Sequence, residues 1–288
     1  MKYLFSLIKI SIIMTALLSH NVLLSQDDEF ENYQFDDNKS SSKIPYFALS
    51  FGGTASFLFM NYDDINSKHL PKVLSTAETQ TWKDIFGEEF SGPMLTFGFN
   101  FFTALSPLVN NARLGVSYQS GSMQLEKTST FAGRAPDNST VDIPLNYFRN
   151  LSVRTTGVHL DYAIVPMKSL AILPGVGVKF GKMTLEQYAT LIPVKWNEPQ
   201  YAFVDDYPIN EKLNYSFLSF EPQVSIEYAL TGFLMIRAAG SYMLTIDRPL
   251  VKNAWTINGN NSYSGVPEGV KPQGFSLTLG LYLGLFNY

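Results

Sequence analysis

The chain contains no cysteine among its 288 residues. This absence excludes disulfides, thiolate metal ligands and cysteine nucleophiles. Histidine is nearly absent as well: of three residues, His20 falls in the amino-terminal apolar segment, which leaves His69 and His159. Neither has sequence neighbours that complete a cluster of metal-ligating side chains. We therefore predict neither a metal nor a cofactor.

Long apolar runs are also missing. Beyond residue 25, no stretch of about 18 residues is free of charged and polar interruption, so no membrane-spanning helix is predicted there. Charge is nevertheless low, at 16% of residues, and aromatic residues make up 14%. Lipid offers no hydrogen bonds to the backbone, so a chain without spanning helices crosses a membrane only as a closed β-barrel.

The first 25 residues have the layout of a secretory signal peptide. Lys2 and Lys9 give a basic start, and an apolar stretch at 10–24 precedes Gln26 and a run of acids. The alternative is an amino-terminal membrane anchor. A stretch this short, and this often interrupted by polar residues, disfavours the anchor.

The net charge is negative and is concentrated just after this segment. Without the two lysines of residues 1–25, 19 basic residues face 25 acidic ones, a formal balance of −6. Residues 26–43 hold six of the acids and several serines, and we predict them to be a flexible acidic periplasmic segment. A chain with this balance is not expected to bind nucleic acid.

Residues 273–288 carry the clearest strand pattern. Every odd position from Phe275 to Leu285 is large and apolar, and most even positions are small or hydroxylated. This period of two predicts a strand rather than a helix. One oily face and one small, polar face are typical of a strand in a transmembrane barrel.

Seven earlier segments share this alternation. The eight predicted strands span 46–60, 93–105, 112–125, 151–165, 170–183, 215–230, 233–246 and 273–288. Short turns at 106–111, 166–169 and 231–232 alternate with long predicted external loops at 61–92, 126–150, 184–214 and 247–273. We predict an all-β fold, a transmembrane antiparallel up-and-down β-barrel of eight strands within residues 44–288. The alternative is a soluble β-sandwich, which would not explain lipid-like faces on every strand.

An eight-stranded barrel has an interior that side chains just fill. The alternation places a predicted polar network inside, made of Arg113, His159, Asp161, Lys179, Glu221, Glu227 and Arg237. Buried charges are costly without partners, so ion pairs are expected. These residues either fill and rigidify the lumen or form a proton or solute path that opens when ion pairs rearrange.

His159 and Asp161 lie two residues apart on the same strand face. Such a pair invites a hydrolase interpretation, but the sequence shows no matching His–Ser arrangement of the kind that barrel lipases use. We expect a structural histidine hydrogen-bonded to Asp161, and no catalytic residue.

Three residues depart from a regular barrel strand. Pro174 and Pro222 lie within strands, and because proline has no N–H to donate, bulges or local breaks are predicted there. Arg154 falls on the outward parity near the outer end of its strand, where it either reaches headgroups or marks a bulge. Inward glycines such as Gly175 are expected to leave room for long side chains from across the lumen.

The predicted loops carry all three tryptophans. Candidate residues for partner or interface contact are Trp82, Trp196, Tyr201 and Trp255. They either anchor in the headgroup belt or cover the barrel mouth, or they form a patch for protein partners.

The junction Ser25-Gln26 and the ending Leu281 to Tyr288 resemble those of the small outer-membrane β-barrel proteins of Bacteroidota. This group includes the PorT-like barrels and is similar in layout to the transmembrane domain of outer membrane protein A. The resemblance implies a place in the cell outer membrane, insertion by the barrel assembly machinery and contact with outer-membrane lipid. PorT-like members are implicated in type IX secretion, although no residue of these two motifs carries that role.

We therefore expect a non-enzymatic outer-membrane barrel. It would be structural, or a membrane subunit of a larger assembly such as a secretion-related one, with protein partners at its external loops. The alternatives are a narrow channel or transporter for small or hydrophobic solutes and, third, a lipid-active outer-membrane enzyme.

Overall fold

The computed structural model describes residues 46–67, 87–106, 108–134, 139–191, 203–204, 207–208, 210–246, 255–257, 261–262 and 271–288. Eight long strands dominate this part of the chain: β1 (Phe47–Met60), β2 (Met94–Ala104), β3 (Ala112–Arg134), β4 (Thr140–Tyr162), β6 (Leu170–Leu191), β9 (Asn210–Ala229), β10 (Leu234–Ile246) and β13 (Gly274–Asn287). The short elements are α1 (Asp63–Asn66), β5 (Ile164–Met167), β7 (Phe203–Val204), β8 (Tyr207–Pro208), β11 (Trp255–Ile257) and β12 (Asn261–Ser262). No helix in the described ranges is both long enough and apolar enough to cross a membrane.

The eight long strands close into one antiparallel barrel. Each pairs with the next in chain order, and β13 returns to pair with β1 from Phe47↔Asn287 to Met60↔Gly274. Starting from Ala55 of β1, the paired residues can be followed from strand to strand around the barrel until they reach β9. They reach Ser216 in one direction and Ile226 in the other, so the strands are staggered by ten residues on closure. Such a stagger tilts the strands, as closure of a small barrel requires. The prediction of an all-β, up-and-down antiparallel barrel of eight strands is confirmed.

Two predicted loops are largely strand. β3 and β4 pair without interruption from Ala112↔Tyr162 to Arg134↔Thr140, so most of 126–150 is a tall hairpin. β6 and β9 likewise extend into 184–214 and pair up to Tyr188↔Asn210. These stretches were predicted as loops because their outward residues turn polar, but alternation continues on the inward side.

The predicted local breaks at the two prolines are present. Pairing of β4 with β6 stops at Asp161↔Gly175, beside Pro174, and β5 resumes the same register at Ile164↔Ile172. Pairing of β9 with β10 pauses at Pro222 and resumes at Leu244↔Phe220. Neither break changes the register across it, so the wall stays closed.

The outer face of the barrel changes character along the strands. A band of large apolar side chains points outward, including Phe97 at 61% exposure and Leu283 at 63%. On β3, β4, β6 and β9 this band gives way to a polar outer wall, made of Ser120, Ser122, Gln124, Asn150, Ser152, Arg154, Lys182, Thr184, Glu186, Lys212, Asn214 and Ser216. An apolar outside suits lipid, whereas a polar outside suits water.

The inner face is apolar at both ends of the barrel, and the charged side chains lie between these ends. We call the end with Tyr46, Tyr288 and the short turns the terminal end, and the opposite end the loop end. A terminal-end cluster packs apolar side chains, including Phe102, Leu173, Tyr282 and Phe286. A loop-end cluster does the same with Leu151, Leu185, Leu213, Tyr215 and Phe217, joined by Ile65 of α1 and by Phe90.

Hydrogen exchange tests whether the hairpins are strands. Amides of 145–151 and 183–189 are expected to exchange as slowly as those of 155–161, because one continuous ladder holds all three ranges. Mass-spectrometric exchange on the folded protein measures this. Exchange in 145–151 at the rate of an unfolded peptide would restore the loop prediction.

Candidate functional site

Arg113 lies at the centre of the lumenal polar network. Its Nε and Nη2 donate to Oδ2 of Asp161 at 3.0 and 2.6 Å. Its Nη1 donates to the Tyr46 hydroxyl at 3.0 Å and forms an ion pair with Glu227. The Tyr46 hydroxyl in turn donates to Oε2 of Glu227 at 3.1 Å. The guanidinium lies 4.0 Å from the ring centroid of Phe102, so its face is covered as well as its edge.

Arg237 balances the charge of this cluster. Its Nη2 lies 3.9 Å from Oδ2 of Asp161 and its Nε lies 3.7 Å from Oε1 of Glu227. Two arginines therefore face two carboxylates, and each of the four residues is 5% exposed or less. Gln223 donates from Nε2 to the second oxygen of Asp161 at 2.7 Å.

A second cluster lies nearer the middle of the barrel. Lys179 Nζ is 2.6 Å from Oε2 of Glu221 and donates to Oε1 of Gln119 at 3.3 Å. Gln119 donates from Nε2 to the Ser56 hydroxyl at 2.8 Å, and that hydroxyl shares a 2.7 Å hydrogen bond with Thr278. This cluster ties together β6, β9, β3, β1 and β13.

Glycines on neighbouring strands make room for the charged side chains. A Cβ on Gly175 would lie 2.0 Å from Oδ1 of Asp161, and one on Gly115 would lie 2.3 Å from the His159 ring. Gly175 is the direct cross-strand partner of Asp161, and Gly115 is that of His159. The expected space is therefore present, but it is filled by side chains of the adjacent strand β4 and not by side chains from across the lumen.

The structure places all seven predicted network residues in the lumen and brings the six charged ones into ion pairs. The prediction of a hydrogen bond from His159 to Asp161 is wrong. His159 Nε2 stands 3.5 Å from Oδ2 of Asp161 and has no hydrogen-bond partner among the described residues. Arg113 and Gln223 already occupy the oxygens of that carboxylate.

Sequence reasoning missed Arg149, which lies at the loop end within the range predicted as a loop. Its Nε donates to Oε1 of Gln187 at 2.8 Å, and a second nitrogen donates to the carbonyl of Ile65 in α1. Its guanidinium lies 5.1 Å from the ring centroid of Phe90. Continuing the inward alternation of β4 from His159 would have found it.

These contacts fix the segment around α1 over the loop-end cluster. Asn66 donates to the Phe90 carbonyl at 2.9 Å and accepts from the Phe90 amide at 3.0 Å. Tyr62 packs on Phe90, and burial raises the pKa of its hydroxyl to about 12. Buried side chains of this segment thus cover the loop-end cluster.

The predicted loop aromatics contribute little to the described structure. Trp82, Trp196 and Tyr201 lie outside the described residues. Trp255 begins β11, whose backbone pairs with β9 opposite Tyr215. In the part of the chain that the structure covers, no group of three or more His, Asp or Glu is placed to hold a metal.

A closed eight-stranded barrel with an apolar outer band and a charged lumen has the architecture of outer-membrane β-barrels. No protein-family model matches the chain, and no curated protein matches it. Among solved structures, it is similar to Ail, the attachment invasion locus protein of Yersinia pestis, at 7% identity and a TM-score of 0.39, with 84% of this chain and 100% of Ail covered.

Two other solved structures have a similar chain path. One is a major outer membrane protein from Thermus thermophilus, at 12% identity and a TM-score of 0.40, over 82% of this chain and 99% of the other. The second is the outer membrane protein OprG from Pseudomonas aeruginosa, at 10% identity and a TM-score of 0.33, over 87% of this chain and 98% of OprG.

Substituting alanine for Gly175 tests the fit of the network. The new methyl group collides with the Asp161 carboxylate, so we expect a loss of about 1–3 kcal/mol in the free energy of unfolding. Urea unfolding of the folded barrel in vesicles measures it. Gly53→Ala is the control, since nothing lies within 4 Å of that position. Equal stability of the two variants would contradict the packing described.

Neutralising Arg113 tests the ion pairs. Arg113→Met leaves two buried carboxylates with one arginine between them, and we expect a loss of about 3–5 kcal/mol. Adding Glu227→Gln removes a charge of each sign and should recover part of that loss. Unfolding free energies of the single and double variants measure the coupling. Additive losses would mean that the two groups do not stabilise each other.

Proposed function

We propose that this protein is a non-enzymatic outer-membrane β-barrel with a closed lumen, which serves as a structural element or as the membrane-embedded subunit of a larger assembly. The apolar band and polar lumen support a place in the outer membrane. Assembly by the barrel assembly machinery and contact with outer-membrane lipid follow from the same proposal.

The observation that carries the proposal is the filling of the lumen. The paired charges lie between two apolar clusters, one at each end of the barrel. A cavity between the network and the loop-end cluster, lined by Gln119, Glu221 and Met243 among others, has a volume of only about 20 Å³. That is room for about one water molecule and not for a solute.

The same arrangement bears on the two alternatives. A channel would need both apolar clusters and the ion pairs to separate together. The strand register is the same before and after the breaks at Pro174 and Pro222, so neither break opens the wall. A lipid-active enzyme built on His159 would need substrate access, yet that side chain is 4% exposed and faces the lumen. We expect contacts with protein partners at the external loops of the loop end.

Planar-bilayer recording tests the closed lumen. Wild-type protein, inserted from vesicles of known protein content, is expected to give no discrete openings. Openings that vanish in Glu221→Lys, a lumenal charge reversal, would overturn the proposal in favour of a channel. Glu186→Lys is the matched control, because that carboxylate lies on the outer wall and should leave any current unchanged.

A further inference from the structure

We propose that the outer wall carries a binding site for the phosphate group of an anionic membrane lipid, built on Arg154 and Lys182. The inference goes beyond the closed lumen and requires from the proposed function only that the barrel sits in a membrane. The proposal is based on the geometry of β2, β3, β4 and β6 at the border of the apolar band nearest the loop end.

The two cations are direct cross-strand neighbours. Arg154 of β4 is paired with Lys182 of β6 within an unbroken ladder, and both side chains are exposed on the outer face. No bulge shifts either residue, so the outward position of Arg154 is a property of the regular sheet. Residues directly opposite in an antiparallel pair have Cβ atoms about 5 Å apart, and like charges there are destabilising. An anion between them would remove that cost.

No described carboxylate supplies this anion. Neither Arg154 nor Lys182 makes an ion pair or a side-chain hydrogen bond within the part of the chain that the structure covers. The other charges on this wall are already engaged: Lys212 pairs with Glu186, and Glu126 accepts a hydrogen bond from Asn146 at 2.6 Å. Glu186 lies four residues from Lys182 along β6, about 13 Å in an extended strand.

The surface around the pair is concave and rich in hydrogen-bond donors. A depression of about 540 Å³ is bordered by both cations together with Ser120, Ser122, Ser152 and Thr184. The ion pair of Lys212 with Glu186 borders it as well, so the charge of that carboxylate is already neutralised. Ser120 is the cross-strand partner of Arg154, and Ser152 pairs with Thr184 one step further toward the loop end. Hydrogen bonds from Arg and Lys to phosphate oxygens are stronger than those between neutral groups, and the hydroxyl groups supply further donors.

The height of the pair favours a lipid over a free anion. Outward residues of β6 from Ile172 to Phe180 are apolar apart from Pro174, and Lys182 is the next outward residue. Eight steps of about 3.3 Å, tilted by about 40°, make a band of about 20 Å, close to the ~25 Å expected of an outer-membrane barrel. Lys182 and Arg154 therefore stand where headgroup phosphates begin.

The lower side of the depression is apolar. Leu95 and Phe97 of β2 line it, and they are 41% and 61% exposed. A lipid that places its phosphate between the cations can lay its acyl chains along these side chains and along Phe180 below. A small inorganic anion would leave this apolar surface unused, so the lipid is the better fit.

Native mass spectrometry of the folded barrel released from detergent tests the site. Phosphatidylglycerol is titrated against phosphatidylcholine with the same acyl chains, and bound lipids are counted. We expect wild-type protein to prefer the anionic lipid, and the double variant Arg154→Gln with Lys182→Gln to bind it about tenfold more weakly. Arg154→Lys, which keeps the charge, is expected to retain most of the binding.

Lys168→Gln is the charge control, since that lysine lies in the turn at the opposite end of the barrel. It is expected to bind as the wild type does. Equal binding by the wild type and the double variant would overturn the site, and so would displacement of the lipid by millimolar inorganic phosphate, which would make it a phosphate site only. A conducting wild-type barrel would overturn the closed lumen and leave this titration intact, so the two failures are distinguishable.

Discussion

The rest of the barrel is arranged around the pairing of charges in a lumen too narrow to hydrate them. Arg113 is completely buried, and its guanidinium is held between Asp161 and Glu227 while Phe102 covers its face. A buried charge that lost such partners would cost several kcal/mol. The register of four strands is therefore tied to these contacts, because a slip of one residue would turn each charged side chain toward lipid.

This constraint also explains the small residues beside the network. Asp161 and His159 fit only because glycine stands opposite each of them on the next strand. The apolar clusters above and below then keep water from the ion pairs, which strengthens the pairs in a low-dielectric interior. Filling, charge pairing and closure of the barrel thus depend on one another.

Four of the strands pass through two environments, and their side chains reverse accordingly. Within the apolar band the outside is oily and the inside is polar; beyond it the outside is polar and the inside packs around Leu151, Tyr215 and Phe217. The hairpins beyond the band therefore resemble a soluble protein, with an apolar core inside. Arg154 and Lys182 lie where the reversal occurs, and both side chains are exposed there.

The sequence by itself determined the strand class, the number of long strands and which side of each faces out, because a two-residue period leaves only two orientations per strand. It also placed Arg113, Asp161 and Glu227 inside, because they alternate with apolar residues on the outer face and a charge exposed to lipid would be costly. Only the tertiary structure decided which charges meet, that His159 Nε2 lacks its expected hydrogen bond, and that Arg149 is a buried residue of a strand in a range predicted as a loop. Those outcomes depend on the stagger between strands and on contacts between residues far apart along the chain, such as Arg113 with Asp161 and Tyr46 with Glu227, which local alternation does not encode.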